Sequence, residues 1–363
     1  MAYINVVIPV YNAEQYLLDT VRSVLEQPEK DIEIILVDDG SIDASGKICD
    51  EIAQTEERVS VVHKANGGVS SARNVGIEHF LKTCKSGYIA FCDADDLWVP
   101  NALSHTVIKE IKNEDADIVG FSMYCSNSDA TRFCVANKYE DNIEIKQKYE
   151  DKHLFGGGSF AAHLYSIRLF MQNPVRFVEG CTHNEDVIFS AKMFFCAQKL
   201  LYKDNFLYIY RKNFQSSTNT VEYTLDNAFE IPEAWFEAKG FVNKCKDIND
   251  KCKRNWKKFC ETTSSIRCLE MISILAEQGI EYESMYNIMR HKEYFVNIDN
   301  LKSSELAEWQ ITDLLTYKRD KVYFYNSKKQ NSINKRLKSL SRWKCIRYLI
   351  EKRKYKLVIK DIL

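Results

Sequence analysis

The sequence predicts an α/β fold in which a mostly parallel sheet is flanked by helices. Short apolar runs alternate with amphipathic stretches through the first 120 residues, and this alternation is typical of parallel strands joined by helical crossovers. With 363 residues and 45% hydrophobic content, the chain is long enough for two domains. We expect an α/β domain over residues 1–225 and a helical, basic region over residues 226–363.

Each element follows from a local pattern. Continuous apolar runs bounded by polar residues predict buried strands, and apolar residues at helical spacing, such as Leu17, Val21 and Val24, predict helices. The predicted strands are 4–10, 32–38, 59–63, 87–92, 117–122 and 199–210. The predicted helices are 13–27, 43–57, 69–83, 100–112, 184–197, 226–246, 251–278, 281–292 and 304–316.

Charge is distributed unevenly along the chain. Residues 1–225 carry a net charge of −10 and residues 226–363 a net charge of +9. Segment 328–360 holds 13 Lys and Arg but one acid, and its apolar residues, including Trp343, recur at helical spacing. A basic amphipathic helix suits peripheral contact with an anionic membrane; a solvated helix or a contact in a homo-oligomer is the alternative. We expect no nucleic acid partner, because no known binding motif accompanies the charge.

Cysteine usage and the N-terminus bear on the compartment. The 12 cysteines form no C-x-x-C motif, which favours free thiols in a reducing cytosol. The N-terminus enters a predicted strand without a basic and apolar signal segment. No run approaches the roughly 18 apolar residues of a membrane span. We therefore expect a cytoplasmic protein with at most a peripheral contact at the inner face of the plasma membrane.

Polar residues follow three of the predicted strands. Tyr11-Asn12 follows the first strand, Asp38-Asp39 the second and Asp93-Ala94-Asp95 the fourth. In open sheets of this type, ligands bind beyond the carboxyl ends of the strands. Carboxylate oxygens suit Mg²⁺ or Mn²⁺, which bind one or two carboxylates together with substrate phosphates. The three strand ends predict one site that holds a ligand and a divalent ion.

Four motifs resemble those of family 2 glycosyltransferases in order and spacing. They are IPVYNAE at 8–14, VDDGS at 37–41, NGGVSSARN at 66–74 and DADD at 93–96, and NED at 184–186 continues the pattern. The resemblance covers roughly residues 1–220. It implies a GT-A, Rossmann-like fold with a nucleotide-binding half over residues 1–120 and an acceptor half over residues 121–225.

The resemblance also implies an activity. An enzyme of this type is an inverting, metal-dependent glycosyltransferase that moves a hexose or N-acetylhexosamine from a UDP-sugar to a hydroxyl group of a glycan acceptor. Together with the basic segment 328–360, the resemblance favours a lipid-linked acceptor in bacterial capsule, O-antigen or exopolysaccharide synthesis. The alternatives are a transferase that extends a protein-linked glycan and a non-catalytic nucleotide-sugar-binding scaffold.

The donor site is expected at the ends of the first strands. The ring of Tyr11 suits stacking on a base, and Asp39 can accept a hydrogen bond from uracil. A guanidinium such as that of Arg73 suits a diphosphate or ribose. The alternatives are a half-buried core position for Tyr11, a helix cap for Asp38 and a structural ion pair for Arg73. The residues implied for nucleotide-sugar binding are Pro9, Tyr11, Asn12, Glu14, Asp38, Asp39, Asn66, Gly67, Arg73, Asp93, Ala94 and Arg211.

The metal and the acceptor involve further acids. The resemblance makes Asp95 the main ligand of Mn²⁺ or Mg²⁺ and shares Asp93 between ribose and metal, while Asp96 is expected to be structural. Inversion requires a base opposite the leaving group, and the resemblance assigns this role to Asp186. Glu185 is expected to orient the acceptor or a neighbour. The alternative for Asp186 is an acid favoured by the dipole at a helix N-terminus.

Two weaker assignments complete the predicted site. Trp98 is expected in the wall on the sugar side, with a core role as the alternative. Arg211 and the polar residues 216–218 resemble a mobile loop that closes on the diphosphate. The identity of the sugar and of the acceptor does not follow from the sequence.

Overall fold

The computed structural model describes most of the chain up to residue 300. The described residues form two compact units: residues up to 212 together with 241–253, and residues 223–240 together with 254–300. No helix in this described part is long and apolar enough to cross a membrane. The described ranges are 3–139, 143–145, 160–181, 183–212, 223–246, 248–278 and 280–300.

The first unit is built on a sheet that has ten strands in the described residues. They are β1 (Ile4–Val10), β2 (Ile32–Asp38), β3 (Val59–His63), β4 (Tyr88–Phe91), β5 (Leu97–Trp98), β6 (Ile118–Ser126), β7 (Phe133–Asn137), β8 (Ile143–Ile145), β9 (His163–Ser166) and β10 (Leu200–Arg211). Their order is β3-β2-β1-β4-β9-β6-β10-β5, with β7 beside β6 and β8 beside β10. Six strands run in one direction: β1 to β4, β6 and β10. The other four strands, β5, β7, β8 and β9, run antiparallel to them. The predicted mostly parallel α/β fold is confirmed.

Six helices accompany this sheet in the described residues. They are α1 (Leu17–Leu25), α2 (Ser45–Thr55), α3 (Val69–Thr83), α4 (His105–Glu114), α5 (Ile167–Gln172) and α6 (Glu185–Cys196). α1 begins later than predicted because the chain first turns, with the Tyr16 N–H donating to the Ala13 carbonyl at 2.9 Å. α4 also begins later, because Asn101 is left-handed at φ 60° and Ser104 caps the helix through its side chain.

The core of the first unit lies between the sheet and its helices. All seven residues of β1 are buried, as expected for a parallel strand that is covered on both faces. α3 approaches β1 so closely that a Cβ atom at Gly76 would lie 2.4 Å from Val7 Cγ1. This packing fixes the helix that carries Arg73 against the central strand.

The C-terminal part of the described chain is helical, as predicted. Its helices are α7 (Glu230–Ala238), α8 (Asp250–Glu277), α9 (Tyr282–Met289) and α10 (Glu293–Val296). Within the second unit, the indole N–H of Trp256 donates to the Ala238 carbonyl at 2.9 Å. Its core includes Leu269, Ile272 and Leu275 of α8 with Met285 and Met289 of α9. The predicted helix 304–316, the basic segment 328–360 and residues 216–218 lie outside the described residues.

Candidate active site

Four strand ends meet at one edge of the sheet. β1 lies between β2 and β4, and all three strands are parallel. Their carboxyl ends therefore bring residues 11–14, 38–41 and 93–96 to a common edge. β10 joins them, because the backbone N–H of Arg211 donates to Asp96 Oδ1 at 2.7 Å.

The loops that follow β1 and β2 are tied together by side chains. Asn12 is left-handed at φ 48°, and its Oδ1 accepts the Ile42 N–H at 2.9 Å. Glu14 Oε2 accepts the Ala44 N–H at 2.8 Å. Asn12 and Glu14 thus hold these loops, and their predicted nucleotide contacts stay predictions. Tyr11 is 51% exposed, so about half of its surface is accessible for stacking, and its contact with a base stays a prediction.

Asp38 closes the turn after β2. Its Oδ1 accepts the Ser41 N–H at 3.0 Å, and its Oδ2 lies 2.8 Å from His63 Nδ1. Burial would raise the pKa of Asp38, but hydrogen bonds from Ser41 and His63 outweigh it and lower the pKa. His63 Nε2 lies 3.0 Å from Asp50 Oδ1, and hydrogen bonds with Asp38 and then Asp50 raise the pKa of His63.

Asp39 holds the loop before α3. Its Oδ1 accepts the Gly67 N–H at 3.0 Å and a hydrogen bond from Lys64 Nζ, and its Oδ2 accepts the Gly68 N–H at 2.8 Å. A carboxylate offers about four lone-pair positions, so one acceptor position remains for the predicted contact with uracil. Asp39 is 2% exposed, so the surrounding loops would have to move for this contact, which stays a prediction.

Arg73 joins two distant parts of the chain. Its Nη2 donates to Asp93 Oδ1 at 2.7 Å and its Nη1 donates to Glu185 Oε1 at 3.0 Å. Its guanidinium carbon lies 4.4 Å from the ring centroid of Phe160 and 5.1 Å from that of Phe177. Burial would lower the pKa of Arg73, but the two carboxylates raise it. The structure therefore shows the ion pair that was the alternative for Arg73, and its nucleotide contact stays a prediction.

Asp96 is held inside the site by β10. Its Oδ2 accepts a hydrogen bond from the Tyr208 hydroxyl at 2.6 Å, and the same hydroxyl accepts the Asp93 N–H at 3.1 Å. Burial, reinforced by the charges of Asp93 and Asp95, raises the pKa of Asp96 well above its ordinary value. Asp96 is thus a structural residue, and the hydroxyl group of Tyr208 connects it to Asp93.

The N-terminus of α6 carries Glu185 and Asp186. Glu185 is 8% exposed; burial raises its pKa and Arg73 opposes the increase. Its pairing with Arg73 means that it orients a neighbour, and its predicted acceptor contact stays a prediction. Burial also raises the pKa of Asp186, Arg73 opposes this increase and Asp93 adds to it. Asp186 is therefore close enough to Asp93 to interact with its charge.

The predicted wall position of Trp98 is wrong. Trp98 lies in β5 opposite Tyr208, and its backbone N–H donates to Ser23 Oγ at 3.0 Å. The residue is 1% exposed. A side chain without accessible surface cannot line a sugar pocket, so Trp98 has the core role that was the alternative.

The remaining predicted donor residues differ in accessibility. Arg211 is 5% exposed, and its guanidinium carbon lies 4.8 Å from the ring centroid of Tyr16. A contact with a diphosphate would require more of this side chain to become accessible, and it stays a prediction. Pro9 is buried within β1, and Ala94 is buried just after β4. Asn66 is exposed in the loop before α3.

Asp93 and Asp95 are the predicted metal pair. The side chain of Asp93 is 30% exposed and gives Oδ1 to Arg73. Within the described ranges, no group of three His, Cys, Asp or Glu side chains is placed to hold a metal ion. Two carboxylates nevertheless fit a Mg²⁺ or Mn²⁺ ion that completes its coordination with substrate phosphates. The donor set thus fits an ion shared with a substrate.

Sequence reasoning missed the role of Asn74, although Asn74 lies within a recognised motif. Its Oδ1 accepts the Phe177 N–H at 2.9 Å, and its Nδ2 donates to the Phe177 carbonyl at 3.1 Å and to Glu179 Oε1 at 2.9 Å. The ring of Phe177 stacks on Phe189 of α6 with centroids 3.9 Å apart. Asn74 therefore fixes the segment that leads to α6, and the motif itself was the available signal.

Comparison with known proteins points to one family. The family model described as Glycosyl transferase family 2 matches residues 5–172. EpsJ of Bacillus subtilis (strain 168), an uncharacterized glycosyltransferase, is 32% identical over 260 residues, which are 68% of this chain and 73% of EpsJ. GgaA of the same organism, a minor teichoic acid biosynthesis protein, is 27% identical over 251 residues, which are 66% of this chain and 52% of GgaA.

A solved structure shares the fold. S. aureus TarS 1-349, crystallised in complex with UDP-GlcNAc, superimposes with a TM-score of 0.63 and 17% identity, over 91% of this chain and 88% of that one. At this identity the likeness concerns the fold. It confirms the GT-A architecture that the sequence predicts.

Proposed function

Because this chain belongs to glycosyl transferase family 2, we propose that it transfers a sugar from a UDP-sugar to a hydroxyl group of a glycan acceptor with inversion. The acceptor oxygen bonds to the anomeric carbon as the bond to the diphosphate breaks. One observation carries the proposal: Arg73 holds Asp93 from the end of β4 and Glu185 from the start of α6. Residues predicted for the donor and the acceptor thus share one centre.

Asp186 is the proposed base. Inversion requires a group that takes the acceptor proton on the side opposite the leaving diphosphate. Burial raises the pKa of Asp186, which increases its affinity for that proton. Arg73 opposes the increase, which favours the ionised form that a base needs. Arg73 thereby helps to keep Asp186 ionised, while burial maintains its affinity for the acceptor proton.

The donor is proposed to bind along the ends of β1, β2 and β4. Tyr11 offers an exposed ring for stacking on the base. Asp39 retains one acceptor position for uracil, as counted above. The loop contacts of Asn12 and Glu14 keep these residues in place without a ligand, so the pocket is preorganised.

The proposed cofactor is Mn²⁺ or Mg²⁺, held by Asp95 and Asp93. When bound, such an ion neutralises charge on the leaving diphosphate. The chain itself orients Asp93, because Arg73 holds its side chain and Tyr208 accepts its backbone N–H. Asp96 supports the same turn from inside.

Similar proteins support the donor and product classes. TarS was crystallised with UDP-GlcNAc, and GgaA is named for minor teichoic acid biosynthesis. We infer a hexose or N-acetylhexosamine donor, a bacterial cell-surface glycan such as capsule, O-antigen or exopolysaccharide as product, and a lipid-linked acceptor at the cytoplasmic face of the membrane.

The basic segment 328–360 would provide peripheral contact with this membrane. Sedimentation with anionic vesicles should weaken in a chain that ends at residue 327; equal sedimentation would argue against membrane contact.

Replacing Asp186 with asparagine tests the function. In a UDP-sugar panel with Mn²⁺, the wild type should release UDP, and EDTA should stop this release. Asp186→Asn should bind UDP as the wild type does while turnover falls by about 10²–10⁴-fold. Asp204→Asn is the matched control, because Asp204 is exposed on β10, and it should keep full turnover. Unchanged turnover in Asp186→Asn would exclude Asp186 as the base, and UDP binding without any turnover of the wild type would favour the scaffold alternative.

A further inference from the structure

Cys125 and Cys134 differ from the other cysteines of the described residues. Eleven cysteines in this part of the chain are free thiols, and nine of them are buried. Cys134 is exposed and Cys125 is partly exposed. Because thiol chemistry requires access, a reagent in solution reaches these two before the others.

The two cysteines face each other across the antiparallel pair of β6 and β7. Cys125 is directly opposite Cys134 in the strand register, so the two side chains lie on the same face of the sheet. Opposite residues in antiparallel strands have Cα atoms about 4.5–5.5 Å apart. Disulfides span Cα separations of about 4.4–6.8 Å. The backbone therefore already holds the two thiols at a distance that a disulfide can bridge.

The pair lies beside the strand end that carries Arg211. β6 also pairs with β10, where Cys125 is opposite Tyr210 and Ser126 is opposite Arg211. The Lys212 N–H donates to the Ser126 carbonyl at 3.0 Å. Burial raises the pKa of Cys125, and the nearby charge of Lys212 opposes this increase. Cys125 thus pairs with β10 one residue before Arg211, which is at a strand end of the candidate active site.

We propose that Cys125 and Cys134 form a reversible dithiol–disulfide modification site, oxidised by a small-molecule disulfide. The Cys134 thiolate attacks one sulfur of the reagent, and one small thiol leaves with its electron pair. The Cys125 thiolate then attacks the Cys134 sulfur, and the second small thiol leaves. Two protein thiols are oxidised, the reagent is reduced to two thiols, and the two protons are taken up by the departing thiolates.

The hairpin is ordered without this bond. Asn127 Oδ1 accepts the Thr131 N–H at 3.0 Å and the Arg132 N–H at 2.8 Å. The turn that joins β6 to β7 is therefore held by its own hydrogen bonds in the dithiol form. Closure of the disulfide therefore requires no change of strand register.

Mass spectrometry of the full chain tests the site. Cys345 lies outside the described residues, so all samples carry Cys345→Ser. After incubation with oxidised glutathione, we expect an intact mass lower by two hydrogens and a cross-linked peptide that contains Cys125 and Cys134. Dithiothreitol should reverse both changes.

Two variants make the result specific. Cys134→Ser should lose the cross-link, whereas Val135→Thr, an exposed neighbour on β7, should keep it. A glutathione adduct that persists on Cys134 without a cross-link would overturn the proposal, as would a cross-link to any other cysteine. Neither outcome depends on the proposed glycosyltransferase activity, because the readout is covalent mass.

Discussion

Replacing Arg73 with methionine removes the cation between Asp93 and Glu185. Removal of one partner from a buried ion pair costs about 3–5 kcal/mol. The side chains of Arg73 and Glu185 are 5% and 11% exposed, but that of Asp93 is 30% exposed and can be solvated. Methionine keeps most of the packing against Phe160 and Phe177. We therefore expect the free energy of unfolding of the first unit to fall by about 3 kcal/mol, the lower end of that range.

The loss should depend on pH. Burial raises the pKa of Glu185 and of Asp186 in the wild type, and Arg73 opposes both increases. A carboxyl group with a raised folded pKa contributes stability that is complete below its unfolded pKa and is lost as pH rises through its folded pKa. Without Arg73 both folded pKa values rise further, so this loss extends to higher pH. The loss in free energy of unfolding caused by Arg73→Met should therefore be larger at about pH 8 than at about pH 5.

Hydrogen exchange of peptides from α3 and α6 in a urea series measures this unit directly. Arg58→Met is the matched control, since Arg58 pairs with Glu56 where both side chains are 28% exposed. A partly exposed pair of this kind contributes at most about 1 kcal/mol. The Arg58 pair lowers the pKa of Glu56, so the control deficit should stay constant between about pH 5 and about pH 8. An Arg73→Met deficit below about 1 kcal/mol, or one equal at both pH values, would refute the reasoning.

Two further predictions concern Tyr208 and His63. Tyr208→Phe leaves the Asp93 N–H and Asp96 Oδ2 without their shared partner, and unpaired buried groups cost about 1–3 kcal/mol each. The same exchange assay should show a loss of at least about 1 kcal/mol, and a neutral effect would contradict the hydroxyl bridge. Hydrogen bonds with Asp38 and Asp50 raise the pKa of His63 above 6.5, so its stabilisation is complete below about pH 6.5 and is lost as pH rises through the folded pKa. The urea concentration at the midpoint of unfolding should therefore be higher for the wild type than for His63→Gln at low pH, and this difference should shrink as the pH rises. A difference that is the same at every pH would argue against a role for the charge on His63.

The sheet was predictable because its strands are read from local pattern. β1 and β2 match the predicted 4–10 and 32–38, since buried parallel strands are continuous apolar runs with abrupt polar ends. Helix starts were less predictable: α1 begins at Leu17 because a turn precedes it, and apolar spacing does not distinguish a turn from a first helical turn.

The site was predictable only where its residues follow a strand. Asp93 and Asp95 lie where the pattern placed them. The partners of Arg73 are 20 and 112 positions away along the chain, and no local rule relates such distances. Trp98 was misplaced for the same reason, because β5 is a two-residue strand whose burial depends on its pairing with Tyr208.

The charges around Arg73 bear on the proposed cofactor. Asp93, Glu185 and Asp186 all act on Arg73, and Asp95 follows within two residues of Asp93. Two unit charges about 5 Å apart interact with about 3 kcal/mol at an effective dielectric constant of 20. A nucleoside diphosphate adds negative charge to a cluster in which the guanidinium of Arg73 is already paired, so its binding is favoured by further positive charge. We propose that a divalent ion on Asp95 and Asp93 supplies that charge, and equal UDP affinity with and without EDTA would argue against the ion.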